Sequence, residues 1–147
     1  MSLKDKIISL YVVLIIFGTT LALGVGLFWS LYPYQVADVE TPIPILNENK
    51  EIAIGEPIIM KIAVTKANNT DSHTEKFIIC DDGNLVTLAG GSNPLPAGSY
   101  TVTSTSNLLP DKVTVGTTCT FTFQVHYDVN PIREIIRTWT SEEFKVV

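Results

Sequence analysis

The stretch TCTFTFQVHY, residues 118–127, alternates polar and apolar side chains without a break. A strand with this period of two turns its odd-numbered and even-numbered residues to opposite faces. The pattern therefore predicts a β-strand within residues 112–129 that buries one face only. The buried face would comprise Cys119, Phe121, Phe123, Val125 and Tyr127.

Shorter strand patterns precede this segment, and polar or glycine-rich residues separate them. IIMKIAVTK (58–66) and SYTVTSTS (99–106) alternate with the same period, and KFIIC (76–80) and NLVTLAG (84–90) are rich in apolar and β-branched residues. Short runs of this kind, separated by frequent turns, indicate an all-β domain. The polar segment 66–75 predicts a loop.

The turn between KFIIC and NLVTLAG contains Asp81, Asp82 and Gly83. Asp-Gly between two strands favours a two-residue type I′ hairpin, in which both central residues, here Asp82 and Gly83, have positive φ. The carboxylates beside Cys80 also raise the alternatives of a metal site or a redox centre. The turn accounts for these residues without a ligand, because turns prefer Asp, Asn and Gly.

Residues 130–147 fit two conformations. The apolar residues between Ile132 and Trp139 have the spacing of one helical face, whereas the abundance of Ile, Thr and Trp favours a strand. The neighbouring strand patterns make a strand with a break near Ser141 the better prediction. A helix over 132–139 stays open as the alternative.

The sequence begins with a long apolar segment. No charged residue occurs from Ile7 to Tyr32, a run of 26 residues, and a helix needs only about 20 to cross a bilayer core. The run is longer than the roughly 7–15 apolar residues of a cleaved signal peptide. Residues 7–32 are therefore predicted to be a transmembrane helix that ends at Pro33. Aromatic rings favour the headgroup layer, and three lie at this end: Trp29, Tyr32 and Tyr34.

Basic residues set the predicted orientation of this helix. Lys4 and Lys6 precede it, so the positive-inside rule predicts residues 1–6 in the cytoplasm and residues 35–147 on the periplasmic or extracellular side, a virion membrane being the other possible location. The exported residues hold 8 basic and 14 acidic side chains. An acidic domain repels the phosphate backbone, so nucleic acid is not an expected partner.

No catalytic residue, cofactor site or metal site is predicted. The chain contains two cysteines and two histidines, and no pair has the spacing of zinc ligands. His73 falls in the predicted loop, and His126 falls on the polar face of its strand, which indicates a solvated histidine. No nucleophile is accompanied by a recognisable base and orienting group, so an enzyme is not expected.

Together these patterns predict an all-β fold, an Ig-like antiparallel β-sandwich over residues 51–147, preceded by one N-terminal transmembrane helix. Residues 33–50 contain prolines at alternate positions, which exclude a helix. This segment is expected to be either an extended linker or the first edge strand of the domain.

Three motifs add a resemblance to this prediction. They are GEP (55–57) before an alternating strand, LPAGSY (95–100), and FQVHYDVNPIREI (123–135) followed by SEEFKV (141–146). In this order they resemble small bacteriophage and virome proteins with one N-terminal membrane anchor and a single Ig-like domain. The resemblance implies this architecture and no catalytic residue.

Export and the Ig-like arrangement predict a disulfide between Cys80 and Cys119. Two thiols in an oxidising compartment tend to pair. In the predicted sandwich the strand ending at Cys80, the third, lies antiparallel to the strand beginning near Cys119, the sixth. Two buried free thiols are the alternative, because one slip of register would separate the sulfurs.

The favoured hypothesis is a single-pass membrane protein that holds one Ig-like binding or structural module outside the cytoplasm. The alternative is an accessory subunit of a larger membrane complex, docked through its helix. Gly18, Ala22 and Gly26 recur at every fourth position on one helical face, and small residues at this spacing let a second helix approach closely. The expected partners are therefore the lipid bilayer and a protein, or a second copy of this chain, at that face.

Replacing Gly18, Ala22 and Gly26 together with leucine should weaken any association through the helix and leave membrane insertion intact. Larger side chains would hold two helix backbones apart, while leucine is well tolerated in a spanning segment. Cross-linking in native membranes measures the association. Unchanged cross-linking after all three substitutions would show that the small residues reflect composition only.

Overall fold

The computed structural model describes residues 3–92 and 95–147. Residues 1–2 of the predicted cytoplasmic segment, and residues 93–94 before LPAGSY, lie outside the described part. The described residues form two compact units, of which one contains the apolar helix and residues 130–133 and the other contains the rest of the β-strands. This confirms the predicted all-β body and single N-terminal apolar helix.

The described chain contains one long helix, eight strands and a short 3₁₀ turn before the second strand. The elements are α1 Leu3–Leu31, β1 Ala37–Val39, β2 Glu51–Ile52, β3 Pro57–Lys66, β4 Ser72–Cys80, β5 Leu85–Ser92, β6 Gly98–Leu108, β7 Thr118–Asn130 and β8 Arg133–Val146. The strands form a three-stranded sheet in the order β1-β3-β6 and a five-stranded sheet in the order β2-β8-β7-β4-β5.

Most strand pairs are antiparallel, but β2 runs parallel to β8, so the larger sheet is mixed. Both sheets contribute side chains to one core. As predicted from the alternation in β7, its odd-numbered apolar residues are buried. The largest fully buried side chains are Tyr127, Phe121, Phe144, Ile43, Ile52, Ile58, Met60, Ile78 and Leu109.

Helix α1 is long and apolar enough to cross a membrane, by length and composition, with a mean hydropathy of 2.3 in its most apolar window. None of its residues is buried. Several of its hydroxyl groups bond within the helix: Thr20 Oγ1 donates to the Ile16 carbonyl (2.8 Å) and Ser30 Oγ to the Gly26 carbonyl (2.8 Å). Such internal bonds remove the penalty that lipid imposes on polar groups.

The segment predicted as a linker or first edge strand belongs to the β-unit. That unit begins at Gln35, not at the predicted boundary of residue 51. Ala37–Val39 forms strand β1, and Ile43 and Ile45 make single β-bridges to β8 and β3. The reason is packing: Val36, Ala37, Val39, Ile43 and Ile45 are all buried, so the segment completes the core.

Two other boundaries differ from the sequence prediction. Strand β4 already begins at Ser72, so the end of the predicted loop 66–75 is paired with β7. His73 and Glu75 lie on the outer face, and the residues between them and before them on the core side, Ser72 and Thr74, are polar as well, so hydrophobic periodicity gives no signal here. Strand β7 begins only at Thr118, because residues 112–117 form turns that end in the positive-φ residue Gly116.

Residues 132–139, for which the sequence fits both a helix and a strand, belong to β8 from Arg133 onward. This strand continues without interruption to Val146. The prediction of a break near Ser141 is wrong, because the strand continues there and only the phase of its burial pattern changes. Buried positions are odd-numbered at Ile135, Trp139 and Ser141 and even-numbered at Phe144 and Val146. Ser141 Oγ accepts a hydrogen bond from the Phe121 N–H (2.9 Å), so this backbone donor of β7 has a partner at the point where the burial pattern of β8 changes phase.

Glu142 ties the segment after β1 to β8. The Ile45 N–H donates to Glu142 Oε2 (3.1 Å), and Lys50 Nζ lies 3.2 Å from Oε1. The backbones also pair, since the Ile43 N–H donates to the Thr140 carbonyl and the Glu142 N–H to the Ile43 carbonyl. The Ile45 hydrogen bond, followed by the Lys50 ammonium, lowers the pKa of the Glu142 carboxyl.

Glu142→Gln should therefore reduce stability at neutral pH and flatten its dependence on acid. A lowered folded-state pKa contributes stability that is present above the unfolded pKa of about 4.3 and is lost as the pH falls through the folded value. Unfolding of the full chain in detergent, followed from neutral to acid pH, measures this. Glu143→Gln, at an exposed neighbour, is the control, and identical pH profiles for Glu142→Gln and wild type would contradict the prediction.

Candidate functional site

The central feature of the larger sheet is a disulfide between β4 and β7. Cys80 and Cys119 are directly opposite each other in the ladder, with their Cα atoms 4.0 Å apart, and their sulfurs are bonded. Both side chains are buried on the core side. The predicted bridge is present, and the alternative of two free thiols does not apply. The strands are the fourth and seventh in the chain because Ala37–Val39 and Glu51–Ile52 both count as strands.

The turn after Cys80 differs from the predicted type. Gly83 has a φ of 81°, whereas Asp82 is not among the described non-glycine residues with positive φ, so the turn is not type I′. The Gly83 N–H donates to the Cys80 carbonyl and the Cys80 N–H to the Asn84 carbonyl. These bonds enclose three residues, and Gly83 supplies the single left-handed position that such a loop requires.

The carboxylates beside Cys80 hold this turn in place. The Thr118 N–H donates to Asp81 Oδ1 (3.2 Å), and the Asp81 N–H donates back to the Thr118 carbonyl (3.0 Å). Asp82 Oδ1 accepts from the Asn84 N–H (2.9 Å). Both carboxylates thus receive backbone hydrogen bonds that fix the turn against the start of β7.

A cluster of histidines and glutamates lies at the other end of the same ladder, on its outer face. His73 of β4 pairs with His126 of β7, and their rings stack with centroids 4.5 Å apart and planes 18° apart. Glu134 Oε1 lies 2.7 Å from His126 Nδ1, and Glu75 Oε2 lies 4.0 Å from His126 Nε2. We call these four residues the His–Glu cluster.

The cluster corrects two predictions about the histidines. His73 lies in a strand, not in a loop, and His126 is not solvated, since only 15% of its side chain is exposed. Its Nε2 atom is buried and has no hydrogen-bond partner among the described residues. One ligand atom each from His73, His126 and Glu134 lie within 4.8 Å of one another, which is compatible with a metal ion.

The sequence contains a signal for this cluster that the spacing of ligands along the chain does not show. In an unbroken antiparallel ladder, the two residue numbers of every pair add up to the same value. The register that pairs Cys80 with Cys119 therefore also pairs His73 with His126, and the ladder between them has no shift. The predicted disulfide was sufficient to bring the two histidines together.

A cavity of about 270 Å³ lies between the two sheets. Its walls are largely apolar and include Phe123, Tyr127 and Trp139, with Lys76 Nζ donating to Asn107 Oδ1 (3.1 Å) at its lining. Ligand pockets usually measure roughly 300–1,000 Å³, so this cavity falls just below the range for a drug-sized molecule.

The residues singled out in and just after helix α1 all belong to the unit that contains this helix. Gly18 and Gly26 have no atom within 4 Å of where a Cβ would be, so this part of the helix face with Ala22 is open. Trp29 lies in the last turn, and the Tyr32 ring is 5.0 Å from that of Phe28. Tyr34 follows Pro33, beyond the end of the helix at Leu31.

Comparison with known proteins finds no family model that matches this chain and no match among curated proteins.

Replacing both cysteines, as Cys80→Ala with Cys119→Ala, should destabilise the protein by about 3–4 kcal/mol, because the bridge closes a loop of about 40 residues in the unfolded chain. Thermal unfolding of the full chain in detergent, followed by tryptophan fluorescence, measures the loss. A reducing agent should destabilise the wild type by a similar amount and leave the double variant unchanged. Equal stability of the oxidised and reduced wild type would contradict this account of the bridge.

Proposed function

We propose that this chain is a single-pass membrane-anchored protein whose β-unit is an Ig-like module, held outside the cytoplasm and acting as a binding or structural element. The module would contact another macromolecule through its surface, and catalysis is not part of the proposal. The resemblance to bacteriophage and virome proteins suggests a membrane-associated viral component as the setting.

The observation that carries the proposal is the disulfide in a chain that also has an N-terminal membrane-length helix. Reducing systems keep cytosolic thiols unpaired, whereas disulfides persist in exported domains. Cys80 and Cys119 are buried and bonded on neighbouring strands. Lys4 and Lys6 before the helix favour the same orientation, with the β-unit exported.

The strand order supports the Ig-like assignment. If β1, β3 and β6 correspond to strands A, B and E, then β4, β5, β7 and β8 correspond to C, C′, F and G. The sheet order β8-β7-β4-β5 is then G-F-C-C′, as in variable-type Ig domains, opposite an A-B-E sheet. The disulfide differs from the antibody pattern, because it joins C to F within one sheet and not B to F between sheets.

A surface role fits the shape of the β-unit better than a buried ligand. The cavity between the sheets has a volume of about 270 Å³, and two of its polar lining residues, Lys76 and Asn107, bond to each other. The outer face of the larger sheet instead carries exposed apolar side chains, including Ile79 and Leu85, beside polar ones. An exposed face of this kind suits contact with a protein.

The second candidate function, an accessory subunit docked through the membrane helix, is favoured by the open face at Gly18 and Gly26. Mass measurement after solubilisation from native membranes separates the two. A membrane protein that copurifies in fixed stoichiometry supports the subunit, whereas an isolated chain supports the binding module.

Modification of lysines with a membrane-impermeant amine reagent tests the orientation. In intact cells the reagent should modify Lys61, Lys112 and Lys145, which are exposed in the β-unit. Lys4 and Lys6 should react only after permeabilisation, because they would lie in the cytoplasm. Peptide mass spectrometry reads both sets from one sample, so each serves as the control for the other. Modification of Lys4 and Lys6 alone in intact cells would reverse the orientation and overturn the proposal.

A further inference from the structure

We propose that the His–Glu cluster is a zinc site, in which His73, His126 and Glu75 bind the ion and Glu134 positions His126. The site would hold Zn²⁺ on the outer face of the larger sheet, with a fourth position open to water. It is independent of the membrane orientation and of the Ig-like assignment, because it depends only on side chains of β4, β7 and β8.

The hydrogen bond between His126 and Glu134 decides which nitrogen is available. An ionised carboxylate can only accept, so at 2.7 Å from Glu134 Oε1 the Nδ1 atom carries the proton. In the neutral ring the lone pair is then on Nε2. A carboxylate on one nitrogen and a metal on the other is the arrangement in which a second carboxylate orients a zinc-bound histidine.

The Nε2 atom of His126 is a buried polar atom without a hydrogen bond among the described residues. Only 15% of the His126 side chain is exposed. Buried polar atoms without a partner are uncommon and costly. The nearest carboxylate oxygen recorded beside it, Glu75 Oε2, is 4.0 Å away, too far for a hydrogen bond. A cation between the two atoms would satisfy both.

One distance in the cluster is close to what zinc requires. Ligand atoms about 2.0–2.1 Å from a tetrahedral ion lie about 3.3 Å from one another. Glu75 Oε2 lies 4.0 Å from His126 Nε2, so these two atoms must approach each other by less than about 1 Å. Glu75 is 51% exposed and His73 is also exposed, so both side chains have room to move toward an ion beside Nε2.

Binding would change the stacking of the two rings. A ring nitrogen donates its lone pair in the plane of the ring, so two nearly parallel rings cannot both point at one ion. The exposed His73 ring must therefore turn away from its stacked position, while His126 is held by Glu134. The cluster is consequently a site in which one ligand is fixed and the other closes over the ion.

The ligand types select the metal. Two imidazoles and a carboxylate suit Zn²⁺, whereas Ca²⁺ takes six to eight oxygen ligands and Mg²⁺ prefers oxygen and water. Two more carboxylates add negative charge: Asp71 lies two residues before His73, and Asp128 lies two residues after His126. The backbones of these two aspartates are joined by a hydrogen bond of 3.3 Å. A bound ion would also join β4 to β7 at the end of the ladder opposite the disulfide.

Calorimetric titration of the full chain in detergent with ZnCl₂ tests the site. The protein must carry no polyhistidine tag and must first be stripped of metal with a chelator. One Zn²⁺ per chain is expected near neutral pH, with no binding of Ca²⁺. His73→Ala and Glu75→Gln should each weaken binding by at least about tenfold, the lower end of the loss caused by removing even an outer-shell partner. Glu143→Gln, an exposed residue of β8, should bind as the wild type does.

The nitrogen signals of His126 separate a ligand from a structural residue. In ¹⁵N spectra, Zn²⁺ should shift Nε2 of His126 and leave Nδ1 protonated. Glu134→Gln should increase the fraction of His126 with its proton on Nε2 in the metal-free protein and should also weaken Zn²⁺ binding, and the loss of affinity is the change that a merely structural role would not produce. Acid that protonates the imidazoles should release the ion from the wild type.

Three results would overturn the site: no heat and no ¹⁵N shift at millimolar Zn²⁺, coordination through Nδ1 of His126, or unchanged affinity in His73→Ala. His73 is exposed, so this variant is expected to fold even if His126→Ala does not, and circular dichroism verifies that it has. Labelling of the lysines is unaffected by any of these results, so failure of the zinc site is distinguishable from failure of the proposed function.

Discussion

The unbroken pairing of β4 with β7 is the constraint on which the rest of the β-unit depends. Nine consecutive residue pairs, from Ser72 with Tyr127 to Cys80 with Cys119, keep one register. Because side chains alternate between faces, this register fixes the core side and the outer side at once. The disulfide lies on the core side at one end and the stacked histidines on the outer side at the other. A slip of one residue would exchange the faces and separate both pairs.

The sequence was most informative where one face of a strand is buried. The alternation in β7 predicted its buried residues because the hydrophobic effect acts on every second position. The phase change in β8 was foreseen only as a break near Ser141, since the pattern there changes from odd to even positions. Segment 35–50 could not be assigned from its own residues. Its apolar side chains are buried by strands distant in the chain, and local patterns do not contain that information.

The histidines show why the candidate site was harder to predict than the fold. Polar residues on the outer face leave no trace in hydrophobic periodicity, so His73 was placed in a loop and His126 in solvent. Their proximity is a long-range property that follows only from the register of two strands 39 residues apart at the cysteines. The turn at Asp82 and Gly83 was located correctly, but its type depends on a single φ angle that Asp-Gly permits without requiring.

Strand β8 lies between β2 and β7, and this position has a consequence for the order of assembly. Ribosomes make residues 37–52 long before residues 133–146, so β2 and the bridge at Ile43 have no partner in the larger sheet while the intervening chain is made. Their apolar side chains, Ile43 and Ile52, remain uncovered during that time. The β-unit must therefore be completed late in biosynthesis, after its first strands have been made, and that interval is when a chaperone would have a surface to hold.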